Sequence, residues 1–165
     1  MIGSAAIRRA DPYRDTRVID SRAPRTNQAV VGLVSMLAVA TGWWWLLALL
    51  AAQLAVGLLF GRRFCLPCVA YFALLQPRFG EGRLEDSRPP RAANIVGLVV
   101  LSAGAAAYGA GATSAGIGLG LLVAALALLA AVTGFCTGCE AYKLACLLRG
   151  HPFVACPLPP EPSRQ

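Results

Sequence analysis

Two pairs of cysteines have a spacing at which sulfur chemistry is done. Cys65 and Cys68 stand in Phe64-Cys65-Leu66-Pro67-Cys68-Val69-Ala70-Tyr71, and Cys136 and Cys139 in Phe135-Cys136-Thr137-Gly138-Cys139-Glu140-Ala141-Tyr142, so F-C-x-x-C-x-A-Y occurs twice in 165 residues. Two chemistries compete for this pattern. Each pair can cycle between dithiol and disulfide, the first cysteine attacking and the second resolving. Alternatively the four sulfurs converge into one four-thiolate site, a soft tetrahedral environment that suits Zn, Cu(I) or an Fe-S cluster.

The elements that must position these residues are written in the composition. With 57% hydrophobic residues, 14% charged residues and a mean hydropathy of +0.61, the chain is wrong for a soluble domain. Apolar tracts run over 29–60 and 95–135, nearly free of charge. Each is too long for one crossing of a hydrocarbon core, which takes about 20 helical residues, so each predicts a helical hairpin. Neither tract alternates with period 2, so the spans read as helices and not as barrel strands. The expected fold is an all-α integral membrane protein with four transmembrane helices, over about 27–40, 43–60, 93–108 and 117–133. The first hairpin turns near Thr41 and Gly42, where Trp43, Trp44 and Trp45 suit the headgroup region. The second turns in the stretch 109–116, and its small residues, with the glycine run 116–120, suit close helix packing in lipid.

Charge sets the expected orientation. Of the 15 Lys and Arg residues, six precede the first apolar tract, six lie between Gly61 and Arg91, and three come after Phe135; both hairpin turns have none. By the positive-inside rule the N-terminus, the central loop and the C-terminus face the cytoplasm, in a cell (inner) membrane. A basic face beside anionic lipid accounts for the net charge of +7 without a nucleic-acid partner. Residues 1–19, polar and without a signal-peptide core, read as a cytoplasmic arm. All four paired cysteines then lie at the cytoplasmic boundary, where permanent disulfides are disfavoured and C-x-x-C indicates a metal or redox site.

The chain is a tandem repeat. Asp-Ser-Arg-x-Pro-Arg opens at Asp20 and again at Asp86, each copy precedes an apolar hairpin, and each hairpin ends in a cysteine pair. The repeats span 20–80 and 81–150, with a Pro-rich cytoplasmic tail over 151–165. Two crossings return the chain to its starting side, so the copies share one orientation about a pseudo-two-fold along the membrane normal. Pro24 and Pro90 suit the first turn of a helix. Arg22, Arg25, Arg88 and Arg91 anchor these helix starts to headgroup phosphates, or place positive charge beside the cysteines, where it favours thiolate or attracts a small anion.

Gly61 to Arg63 and Thr133-Gly134 break the returning helices just before each pair. Beyond the break each repeat carries a segment that reads as a short interfacial helix, with Cys65 and Cys136 at its N-terminus, where unpaired amides and the helix dipole stabilise a thiolate. The Cys65-Leu66-Pro67-Cys68 segment is similar, locally, to the thioredoxin-type active site. Glu140, whose repeat counterpart is Val69, reads as a helix-start anion. Cys146 aligns with Leu75, and Cys156 and His151 lie in the tail; these three read as incidental, with a resolving thiol or extra ligand as the alternative. Gln53, Ser35 and Ser102 are the few polar groups in the spans. No ionisable residue lies there, which argues against a pump. No acid–base pair, nucleophilic triad or phosphate loop is present.

The motif Thr133-Gly134-Phe135-Cys136-Thr137-Gly138-Cys139-Glu140-Ala141-Tyr142 after four spans, with Arg83-Leu84-Glu85-Asp86-Ser87-Arg88-Pro89-Pro90-Arg91 before the third, resembles a bacterial family of multi-pass membrane proteins known as domain of unknown function 4395. The resemblance covers nearly all of residues 19–148. It implies thiol or sulfane-sulfur handling, because members are often encoded near thioredoxin-like proteins and rhodanese-type sulfurtransferases, and it carries Cys136 and Cys139 onto the family's C-x-G-C positions. Three functions are then expected. The first is thiol-disulfide or sulfane-sulfur exchange with a thioredoxin-like or sulfurtransferase partner. The second is soft-metal binding or transport by the four thiolates, and the third is a structural membrane subunit without chemistry.

Overall fold

The computed structural model describes residues 18–80 and 82–150. Most of the arm, with residues 1–17, and the tail with His151 and Cys156 lie outside the described residues. A short strand β1 (Val18–Asp20) leads into α1 (Arg22–Thr41), which turns back as α2 (Trp45–Phe60). The chain then runs through four short helical pieces: a 3-10 turn at Arg62–Phe64, α3 (Leu66–Ala70), a π turn at Tyr71–Leu75 and α4 (Gln76–Phe79). The second repeat runs β2 (Leu84–Asp86), α5 (Arg88–Gly109), α6 (Thr113–Thr133) and α7 (Thr137–Leu148).

The described residues are therefore nearly all helical, in two hairpins each with a helical segment after it. Among them two helices, α5 and α6, are long and apolar enough to cross a membrane, and α2 is a shorter apolar helix of 16 residues. Helices α1 and α5 begin about five residues before the expected spans, within the Asp-Ser-Arg-x-Pro-Arg motifs. Hydropathy marks where a helix meets an apolar environment, whereas its start is set by capping. Asp20 Oδ1 accepts the Arg22 N–H at 3.0 Å and Asp86 Oδ1 the Arg88 N–H at 2.8 Å, so the two aspartates open the two helices in the same way. The second connection is also tighter than expected, only Ala110 to Ala112, because Thr113 to Gly116 wind into α6.

The all-α expectation missed a two-stranded antiparallel ribbon of β1 and β2, with Val18 opposite Asp86, Ile19 opposite Glu85 and Asp20 opposite Leu84. Three-residue strands are too short to show a period of 2, and more than 60 residues separate them. Since Asp20 and Asp86 are repeat counterparts, as are Val18 and Leu84, this register is self-complementary: rotation by half a turn about the Ile19–Glu85 pair exchanges the repeats. That is the relation expected of a parallel duplication with its axis through the ribbon.

Packing obeys the same relation. Helix α1 packs chiefly on α6 and α2 on α5, so each repeat's first helix lies on the other repeat's second. Small residues bring these helices together. A Cβ at Gly32 of α1 would stand 2.7 Å from Leu128 of α6, and one at Gly120 of α6 would stand 2.8 Å from Val39 of α1. Between the hairpins Val31, Ala38, Leu47, Leu50, Ala51, Leu54, Leu101, Ala105 and Val123 form one buried cluster. The outer surface is apolar: Leu33, Leu49, Leu59, Val99 and Val132 are all exposed, as are the three tryptophans at the first turn.

Candidate functional site

Both cysteine pairs sit where a returning hairpin helix has just ended. Gly134 closes α6 at φ 76° and Gly61 closes α2 at φ 94°, backbone conformations that a side chain would strain. The Thr133 hydroxyl back-bonds to Leu129 O at 2.7 Å and accepts the Phe135 N–H at 3.0 Å, which steers the chain out of the helix. Cys136 is then the N-cap of α7, and Cys65 holds the same place before α3. Both are in extended conformation, as an N-cap requires.

At the second pair the Cys139 N–H donates to the Cys136 sulfur at 3.3 Å, so a thiolate there satisfies an otherwise unpaired helix-start donor. Hydrogen bonding from the Cys139 side chain, then from the Cys139 amide, the Gln28 side chain and the Gly138 amide, outweighs burial and holds the Cys136 thiol at about 6. The bond to Cys136, with burial, pushes the Cys139 thiol up, so Cys139 keeps the proton. Both residues are part-exposed. Gly138 seats the pair against α5, because a Cβ there would come 2.7 Å from Ala93 Cβ and 2.8 Å from Ala93 Cα. Lys143 and Glu140 form an ion pair one turn along α7.

The first pair has the same frame and a different setting. Cys65 and Cys68 are both buried, and their sulfurs share a hydrogen bond at 2.7 Å. That bond lowers the Cys65 thiol against the opposing effect of burial, and raises Cys68. Asn27 Oδ1 lies 3.7 Å from the Cys65 sulfur, and Asn27 Nδ2 donates to Asn94 Oδ1 at 3.4 Å across the two first helices.

The arginines act across repeats. Arg91, at the start of α5, donates to Leu58 O at the end of α2, and Arg88 and Arg91 line the cavity over Cys65 and Cys68. Arg25, at the start of α1, lies against Gly134 and lines the cavity over Cys136 and Cys139. Three of the four arginines expected beside the cysteines are there. Arg22 is not: its guanidinium reaches Phe79 O instead. Arg62, which sequence reasoning passed over as part of a helix break, lines the first cavity and acts electrostatically on Cys68. Asn27, Gln28 and Asn94 were also missed; their signal is an amide pair at the start of one apolar tract and a single amide at the matching place in the other.

Asp20 anchors this end of the molecule. Wholly buried, it accepts from Tyr71 OH at 2.8 Å, Gly82 N–H at 2.8 Å and Arg22 N–H at 3.0 Å. Burial, with the bond to Asp20, pushes Tyr71 up to about 12. The tyrosine of the repeated motif thus ties the segment after Cys68 to the start of α1.

No group of three or more His, Cys, Asp or Glu residues is placed to hold one metal ion among the described residues, so the four sulfurs do not gather into the four-thiolate site that the duplicated spacing allowed. Each pair follows the end of its own hairpin.

The fold and the two pairs coincide with a known sequence pattern: residues 19–146 match the family described as Domain of unknown function (DUF4395). The chain belongs to this family. The matched span takes in both repeats, from β1 to Cys146, and with them both cysteine pairs. No curated protein and no solved structure matches the chain.

Proposed function

We propose that this protein crosses the inner membrane four times, with both termini and both cysteine pairs on the cytoplasmic face, and exchanges thiols with a thioredoxin-like partner through Cys136 and Cys139. The membrane part rests on the apolar outer surface, two helices of spanning length and the confinement of Lys and Arg to one side of both hairpins. The chemical part rests on one observation: a part-exposed sulfur at a helix N-cap, with the resolving cysteine's N–H on it at 3.3 Å.

The exchange balances without a further reactant. The Cys136 thiolate attacks one sulfur of the partner's disulfide, forming a mixed disulfide and releasing a partner thiolate. Cys139 then gives up its proton and attacks the Cys136 sulfur, releasing the second partner thiolate. The pair is oxidised by two electrons and the partner is reduced to its dithiol; run backwards, the same steps reduce the membrane pair. A rhodanese-type partner would deliver sulfane sulfur to the same Cys136 thiolate. Soft-metal binding by the four thiolates is the second reading, for which no group of three or more ligands is gathered among the described residues.

The test is trapping. Cys139→Ser should accumulate a mixed disulfide between Cys136 and a cytosolic thioredoxin-like protein, and Cys136→Ser should abolish it. If the double variant of Cys65 and Cys68 abolishes trapping while Cys136→Ser leaves it intact, the assignment of the attacking pair is wrong.

A further inference from the structure

The two cysteine pairs are repeat counterparts, yet the cavities over them differ in charge. The cavity over Cys65 and Cys68, about 210 Å³, is lined by Arg62, Arg88 and Arg91 and, among the described residues, by no carboxylate. The cavity over Cys136 and Cys139, about 170 Å³, sets Arg25 and Lys143 against Glu85, Asp86 and Glu140. Individual replacements between the repeats produce this difference. Arg62 stands where the second repeat has Thr133, and Val69 stands where it has Glu140. Asp20, the counterpart of Asp86, does not line the first cavity; it is turned into its bonds with Tyr71 and Gly82.

We propose that the cavity over Cys65 and Cys68 binds a small oxyanion, held by the guanidiniums of Arg91 and Arg62 with the Asn94 amide beside them. The space far exceeds the roughly 10–15 Å³ that one water needs. Leu58 O takes one N–H of Arg91 and Val18 O one of Arg62, and a guanidinium has five in a planar fork matched to oxyanion geometry. Asn94 accepts from Asn27 through its oxygen, which leaves its amide nitrogen as a donor on the cavity lining. Arg88 stands at the rim, its charge balanced by Asp86 at 2.8 Å. A cationic cavity over a buried dithiol suits an anion small enough to reach it, while the part-exposed second pair suits a protein. Binding of the anion stands on geometry alone and does not depend on the exchange proposed for the second pair. Two sources offer the same chemistry, a soluble oxyanion and the headgroup phosphate of an anionic lipid.

The experiment uses the full chain in nanodiscs of phosphatidylcholine and reads alkylation rates of individual cysteines by mass spectrometry. Sodium sulfate and phosphate, at ionic strength held constant with chloride, should slow labelling of Cys65 and Cys68 saturably and leave Cys136 and Cys139 unchanged. Arg91→Gln should weaken this protection about tenfold or more. Arg91→Lys should fall between, because it keeps the charge and loses the fork, and Arg149→Gln, outside the cavity, should change nothing. Should Arg91→Gln fail to fold, Asn94→Leu must show the weakening. Nanodiscs containing phosphatidylglycerol separate the sources: protection that needs this lipid and is not displaced by free oxyanions identifies a headgroup. Absence of saturable protection by every probe, or equal protection of both pairs, overturns the proposal. Because partner trapping through Cys136 is read separately, loss of oxyanion protection with trapping intact refutes this inference and spares the exchange reading, and the converse result does the reverse.

Discussion

If Cys136 attacks as a thiolate, its reactivity must titrate well below that of an ordinary cysteine. An exposed thiol titrates near about 8.5, so about 3% is thiolate at pH 7; with the thiol held at about 6, roughly 90% is. The thirtyfold gain is not all rate, because a thiolate becomes less nucleophilic as its pKa falls, with a Brønsted slope of about 0.4–0.5. A pKa lower by about 2.5 makes each thiolate about tenfold slower, and the net advantage at pH 7 is only about threefold. At pH 6 the thiolate fractions are about one half and 0.3%, and the net advantage rises to about fifteenfold. The assay is the pH dependence of Cys136 alkylation by iodoacetamide, read by peptide mass spectrometry. The inflection should lie near pH 6. Replacing the residue that contributes most, in Cys139→Ala, should move it up towards the ordinary thiol value, and Gln28→Leu should move it less. A wild-type inflection near about 8.5, or one that Cys139→Ala leaves in place, would refute the claim that the N-cap and its neighbour activate this sulfur.

Two further perturbations test the frame that holds the pairs. Gly138→Ala puts a Cβ within 2.8 Å of the Ala93 backbone, so α7 must shift from α5; thermal unfolding should show a loss of about 1–3 kcal/mol, with slower trapping through Cys136. Asp20→Ala strands buried donors from Tyr71, Gly82 and Arg22 and should cost about 3 kcal/mol or more, whereas Asp86→Ala, at a less buried cap, should cost about 1 kcal/mol. Equal losses at the two aspartates would show that Asp20 does not hold the fold in the way its three hydrogen bonds require.

The parts of this molecule that repeat were legible in its sequence. The two copies of Asp-Ser-Arg-x-Pro-Arg and of F-C-x-x-C-x-A-Y located the helix starts, the hairpin ends and the N-cap cysteines, because capping and chain reversal depend on a few local residue types. Departures from the repeat were harder to read. Asp20 and Asp86 are identical in their motifs, yet one is buried beneath Tyr71 and the other pairs with Arg88, a difference set by the segments that pack over them. The ribbon of β1 and β2 was hidden by its length. That arginines of one repeat line the cavity over the other repeat's cysteines depends on α1 crossing to α6 and α2 to α5, a tertiary choice no local pattern records.

The most direct measurement is a redox titration of the purified full chain against a thioredoxin couple, with each disulfide mapped by mass spectrometry. Thiol exchange by this protein predicts two disulfides, Cys65 to Cys68 and Cys136 to Cys139, each formed within its pair and reversed as the potential falls. Four cysteines that stayed reduced at every potential, or disulfides that joined one pair to the other, would contradict it.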